Sequence, residues 1–224
     1  MSSRPITFAL SKGRLAQNAL DLLKFCGVTI AAGEFESRKL EVFDTSGDYR
    51  FLFVKPADVP IYVERGVADL GVVGKDTLLE EERDICEMLD LGFGKCRLCV
   101  AGFEDNRDRG DRGQSPQGYK QPQGALRVAT KYPNITRKYY AAKGITPDIV
   151  RLSGSVELAP IVGLSDVIVD LVESGKTLEA NGLSVLEEIC TISARLAVNK
   201  VSLKAEKDKI LSLIEKMYEN SKRR

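Results

Sequence analysis

Residues 166–178 constrain this chain more than any other stretch. Val167 to Leu171 read as a buried strand, since apolar side chains dominate and only Asp170 interrupts them. The strand runs into Ser174-Gly175-Lys176-Thr177, which offers two hydroxyls, one residue without a side chain, one cation and a row of backbone N–H groups. A helix that begins there leaves its first N–H groups unpaired and turned outward, which suits a phosphate. Asp170 stands where a carboxylate can hydrogen-bond sugar hydroxyls beside that phosphate. Strand, acid and phosphate loop in this order point to a site for a phosphorylated sugar.

Two other readings of the loop are open to test. Gly175-Lys176-Thr177 is the tail of a Walker A loop, but the Gly required five positions before Gly175 is Asp170, so a nucleotide P-loop is rejected. Taken alone, S-G-x-T also reads as an ordinary strand-to-turn junction.

The chain has 224 residues, enough for one large core or two modest ones. With 33 Lys and Arg against 32 Asp and Glu, the net charge of +1 gives no basic field for nucleic acid, so anion binding must be local. No apolar run is long enough to span a membrane. There is no histidine, which removes Ser-His-Asp and Cys-His nucleophiles, His-ligated metals and imidazole acid–base chemistry together. Catalysis by such a chain rests on positioning and electrostatics. Residues 1–5 lead directly into a strand without a signal peptide, and the five cysteines are an odd number, so reduced thiols and a cytoplasmic location are expected. Cys96 and Cys99 form a single C-x-x-C without the second pair or His that a zinc site needs.

Ile6–Leu10 reads as a strand feeding Ser11-Lys12-Gly13-Arg14 and then an amphipathic helix stopped by Gly27. A loop with two cations and a Gly between strand and helix is suited to an anion, although Lys12 and Arg14 also read as plain solvated charges. Arg38 and Lys39 close a polar connection, followed by strands at 40–43 and 49–54 around a Ser46-Gly47-Asp48 turn. Lys55 precedes a helix for which Asp58 is the expected N-cap, and Asp76 the expected cap of the next. Strands and helices continue to alternate, which predicts a mostly parallel, doubly wound sheet. Residues 104–124, rich in Asn, Asp, Arg, Gly, Gln and Pro, break the pattern and read as a flexible insertion. Two α/β lobes around a cleft follow: 1–94 with 183–224 as a discontinuous first lobe, and 95–182 as the second.

The run Glu157-x5-Gly163-x-Ser165-x2-Ile168-x-Asp170-Leu171-x2-Ser174-Gly175-x-Thr177-Leu178 resembles the signature of the ATP phosphoribosyltransferase family. Leu10 to Arg14, Asp58-Val59-Pro60, Gly66-x2-Asp69-Leu70-Gly71, Ala129 to Pro133 and Asn181-Gly182-Leu183 are similar to further motifs of that family, so the resemblance covers nearly the whole chain. It implies a fold similar to type II periplasmic binding proteins. It also implies transfer of the 5-phosphoribosyl group of phosphoribosyl pyrophosphate (PRPP) to N1 of the adenine of ATP, with loss of pyrophosphate and with Mg²⁺ carried by the substrate. The length resembles the short form, whose catalytic subunit works with a regulatory subunit resembling the histidyl-tRNA synthetase catalytic core in a hetero-octamer. A homodimer is expected for the chain on its own.

By that resemblance, Ser174, Gly175, Lys176, Thr177 and Leu178 form the PRPP phosphate loop. Asp170 binds the ribose hydroxyls and Glu157 orients the substrate. Arg14 and Arg38 are the expected catalytic cations on the triphosphate or departing pyrophosphate, with Lys12, Gly13, Lys39 and Lys55 supporting them, and no resident metal is expected. Lys55 departs from the family, where Arg is frequent, placing a point charge where a planar fork would stand. A non-catalytic two-lobed binding module and a phosphoribosyltransferase for another base are the alternatives, separated by which base releases pyrophosphate from PRPP.

Overall fold

The computed structural model describes residues 4–104 and 124–222. All but the two ends of the polar insertion, and Arg223 and Arg224, lie outside the described residues. In chain order the elements are β1 (Ile6–Leu10), α1 (Arg14–Phe25), β2 (Glu41–Phe43), β3 (Tyr49–Phe53), a single 3-10 turn at Pro56–Asp58, α2 (Val59–Glu64), β4 (Leu70–Gly74), α3 (Lys75–Glu81) and β5 (Cys86–Asp90). They continue with β6 (Cys96–Gly102), β7 (Arg127–Thr130), α4 (Pro133–Ala141), β8 (Asp148–Arg151), α5 (Leu158–Ile161), β9 (Val167–Val172) and α6 (Lys176–Ala180). The last are β10 (Ser184–Ile192), β11 (Ala194–Val198), α7 (Lys200–Ala205) and α8 (Lys207–Ser221).

Two compact units result, one of residues up to Lys95 and from Ser193 onward, the other Cys96–Ile192. The first holds a sheet ordered β2-β3-β1-β4-β11-β5, the second a sheet ordered β10-β6-β9-β7-β8. The first sheet is covered on both faces, because alternate residues of its strands enter different cores. Ile6, Phe8 and Leu10 join Leu22 and Leu23 of α1 and Ile210, Leu213 and Met217 of α8, whereas Ala9 joins Val59 and Val63 of α2. In the second unit Cys99, Ala101, Ala129, Ile168 and Val172 form one face with Ala159, Leu178 and Leu183.

Three sequence expectations need correction. The sheets are mixed rather than mostly parallel: β1–β3, β1–β4, β7–β8 and β7–β9 are parallel, while β2–β3, β4–β11, β5–β11, β6–β9 and β6–β10 are antiparallel. Residues 183–192 belong to the second unit, not the first, because β10 pairs with β6 along its length from Ser184↔Gly102 to Ile192↔Cys96. Finally, neither expected cap acts as one. Asp58 has helical backbone angles and makes no capping bond, since the 3-10 turn already leads into α2, and Asp76 lies inside the first turn of α3.

One plan is used twice. The first unit runs β1-α1-β3-α2-β4 with β1 between β3 and β4, and the antiparallel β11 lies beyond β4. The second runs β7-α4-β8-α5-β9 with β7 between β8 and β9, and the antiparallel β6 lies beyond β9. Gly66-x-Ala68-Asp69 precedes β4 as Gly163-x-Ser165-Asp166 precedes β9. The two aspartates act alike. Asp69 accepts the Thr7 N–H at 2.8 Å and both ends of the Arg4 guanidinium at 2.7 and 2.9 Å, while Asp166 accepts the Arg127 N–H at 2.8 Å and its guanidinium at 2.9 Å. The units differ after the third strand. β4 passes straight into α3, whereas Glu173, Ser174 and Gly175 stand between β9 and α6.

Candidate functional site

Those three extra residues make the site. Glu157, Asp170, Glu173, Ser174, Gly175, Thr177 and Leu178 line one pocket of about 220 Å³, floored by Ala101, Ile168 and Val172. It lies at the carboxyl end of β9 beside β7, where the chain's connections depart in opposite directions, the usual ligand position in such sheets. Gly175 has φ +79°, a left-handed conformation that a side chain makes costly, and this bend turns the strand into α6. No side chain caps α6, and the first bond within it is Glu179 N–H to Gly175 O at 3.0 Å. The N–H groups of its first turn therefore have no partner within the helix, as the phosphate reading requires.

Behind the loop, α6 ends on Asn181-Gly182-Leu183. The Leu183 N–H bonds Leu178 O at 2.9 Å, the Gly182 N–H bonds Glu179 O at 3.0 Å, and Gly182 takes φ +70°. Leu178 and Leu183 then share the core. The Asn-Gly-Leu motif thus braces the loop from below. Glu157 sits at the start of α5, after a turn in which Ser155 takes φ +49°, uncommon for a residue with a side chain.

Six of the seven residues expected to bind PRPP line this pocket: Glu157, Asp170, Ser174, Gly175, Thr177 and Leu178. The seventh, Lys176, is exposed at the first position of α6 and is not among the lining residues. Sequence reasoning missed Glu173, which carried no pattern of its own. It also missed Ala101, which reaches the pocket only because β6 pairs with β9 and sets it against Ile168.

The expected cations lie in the first unit, at the carboxyl ends of β1 and β3. The Val54 N–H bonds Leu10 O at 2.8 Å and the Phe53 N–H bonds Leu40 O at 2.8 Å, so the segments carrying Lys12, Lys39 and Lys55 emerge side by side. The Lys12 ammonium donates to Ser37 O and stands 5.1 Å from the centre of the Phe53 ring. Lys39 pairs with Glu34 at 2.8 Å. These contacts fold the 31–40 loop and leave Arg38 exposed, with no hydrogen bond or ion pair among the described residues. Gly13 has φ +129° just before α1, and Arg14 is the first residue of that helix.

No disulfide joins the five cysteines, and Cys99 is fully buried opposite Asp170 in the β6–β9 pair, where burial pushes its thiol pKa up. No group of three or more carboxylate or thiol side chains is clustered to hold a metal among the described residues. Among the same residues no helix is long and apolar enough to cross a membrane.

The family model described as ATP phosphoribosyltransferase matches residues 55–219. The chain belongs to the ATP phosphoribosyltransferase family. An ATP phosphoribosyltransferase of Lachnoclostridium phytofermentans is 50% identical over 216 residues, covering 96% of each chain. One of Bacillus cereus (strain ATCC 10987) is 48% identical over 214 residues, again covering 96% of each. The solved ATP phosphoribosyl transferase (HisG:HisZ) complex from Thermotoga maritima contains a chain with a TM-score of 0.80 and 36% identity, covering 98% of this chain and all of that one. The α/β class with two sheets is thus both the family's fold and the one expected from the sequence.

Proposed function

We propose that the pocket at the end of β9 holds PRPP and that the chain carries out its family's reaction, the first step of histidine biosynthesis. The observation that carries this is the joining of Asp170, Glu157, Ser174, Gly175, Thr177 and Leu178 in one pocket. The loop holds the 5-phosphate, Asp170 the ribose hydroxyls, and Glu157 orients the sugar. Adenine N1 of ATP attacks C1 of the ribose. The N1–C1 bond forms as the C1–O bond breaks, and that electron pair leaves on pyrophosphate. The attacking ring nitrogen is neutral and needs no strong base, which suits a chain without histidine. What the protein supplies is alignment and neutralisation of the leaving group.

Arg14 and Arg38 hold the triphosphate or the pyrophosphate, supported by Lys12, Gly13, Lys39 and Lys55. The fork of Arg38, without a partner among the described residues, is suited to bidentate phosphate binding. Mg²⁺ enters with PRPP. It would neutralise part of the charge on the departing pyrophosphate. The matched lengths support the short form, acting in the cytoplasm as a homodimer or with a HisZ-type regulatory subunit in a hetero-octamer.

The test is pyrophosphate release from PRPP, ATP and Mg²⁺ by the purified chain, alone and with such a partner. An ultraviolet change from N1-alkylated adenine should accompany it. PRPP binding without reaction of ATP would assign another acceptor, and failure to bind PRPP would remove the reading.

A further inference from the structure

We infer that Lys131 is a further substrate-contacting residue, set beside Asp170 to hold the pyrophosphate of PRPP, and that Thr130 is the residue that positions it. The inference rests on the PRPP reading of the pocket. β7 pairs with β9 in the register Val128↔Val167, Ala129↔Ile168 and Thr130↔Val169. Lys131 follows Thr130 directly, in the bend that ends β7, and Asp170 follows Val169, so the two residues leave the end of the paired register next to each other. Ile168, two residues before Asp170 on the same face of β9, floors the pocket, so this strand end opens onto it.

The ladder stops at Thr130, but the position of Lys131 stays fixed. The Thr130 hydroxyl, fully buried, donates to Val169 O at 2.7 Å and accepts the Tyr132 N–H at 2.8 Å. It takes over from the backbone ladder at the strand's end and ties both sides of Lys131 to the residue preceding Asp170. Lys131 itself is exposed, and its ammonium makes no hydrogen bond or ion pair among the described residues.

The pocket's charge explains what this cation is for. Glu157, Asp170 and Glu173 line it, and no Lys or Arg does among the described residues. With the 5-phosphate on the loop, the pyrophosphate of PRPP needs a positive partner at the Asp170 end of the pocket. As the C1–O bond breaks, negative charge grows on that oxygen. A compact ammonium with three rotatable donors can follow the group as it leaves.

Titration calorimetry on the purified chain with Mg²⁺ tests this, using ribose 5-phosphate, pyrophosphate and PRPP as separate probes. Lys131→Ala should keep ribose 5-phosphate affinity within about twofold, yet weaken PRPP and pyrophosphate by about ten- to a hundredfold, as loss of one charge-assisted donor does. Turnover should fall about a hundredfold, with partial rescue in Lys131→Arg. Thr130→Val should weaken PRPP in the same sense, with Thr130→Ser restoring it. Unchanged PRPP and pyrophosphate binding in Lys131→Ala overturns the inference while the PRPP reading stands. A wild-type chain that binds neither PRPP nor ribose 5-phosphate removes both.

Discussion

Replacing Asp69 by Asn tests the buried acid that starts the third strand of the first unit. Its side chain is 1% exposed, and its two oxygens divide the work. Oδ2 accepts from Thr7 N–H and Arg4 Nη1, and Oδ1 from Arg4 Nη2 and the Ser202 hydroxyl. An amide keeps the Thr7 bond by leaving its oxygen there, and its NH₂ can donate to Ser202, so the pair with Arg4 is what is lost. A fully buried pair would lose about 3–5 kcal/mol when one partner is removed. The Arg4 side chain is 52% exposed and returns to water, so the expected cost is nearer 2 kcal/mol. That corresponds to a fall in Tm of about 4–8 °C. Asp69→Ala also leaves the Thr7 N–H without an acceptor and should cost about 3–5 kcal/mol. Urea unfolding measures both, and hydrogen exchange should show the loosening at β1 and β4 rather than at β7 and β9. Equal losses for Asn and Ala, or no loss for either, would refute the division of labour between the two oxygens. The effect also has a sign in pH. Burial raises the Asp69 pKa, but the bonds from Arg4, Ser202 and Thr7 outweigh it and hold the carboxyl below its ordinary range. The contribution is therefore complete above the unfolded value of about 4 and is lost as pH falls through the lower folded value, so wild type and Asn variant should converge in acid.

Two further outcomes follow from the sites. Gly175→Ala should fold, because an added Cβ meets only Glu179 Oε1 at 4.0 Å, but φ +79° should cost about 1–2 kcal/mol and raise the KM for PRPP. Unchanged KM would show that the bend does not set the phosphate loop. Arg38→Ala should lose about a hundredfold in turnover with its melting temperature kept, since the side chain supports no other group among the described residues. A folded variant with full turnover removes Arg38 from catalysis.

Local chemistry was legible in the sequence, and distant pairing was not. The strand Val167–Val172 and its loop could be read because an apolar run meets hydroxyls and a glycine within a dozen residues. The same holds for the hairpin of β2 and β3, although its anchor was missed: Asp44 takes the Tyr49 N–H at 2.9 Å and the Ser46 hydroxyl at 2.6 Å. β5 escaped notice because Cys86–Asp90 is half exposed and charged, with no apolar alternation. β10 was given to the wrong unit because its partner, β6, lies about ninety residues earlier and nothing local announces it. The bonding roles of Asp69 and Asp166 were not legible, since their partners Arg4 and Arg127 are 65 and 39 residues away.

The borrowed fourth strand fixes an order of assembly during synthesis. The second unit is continuous, Cys96–Ile192, and contains every strand of its own sheet. The first unit is translated earlier but lacks β11, which pairs with both β4 and β5. Until Ala194–Val198 leave the ribosome, β4 has an open edge and β5 has no neighbour in its sheet. The half that begins first therefore finishes last, the reverse of the usual N-terminal-first sequence. During that interval the open edge of β4, with Leu70, Val72 and Val73, is a template for the wrong partner, so nascent chains of this protein are most exposed to aggregation while the second unit is being made.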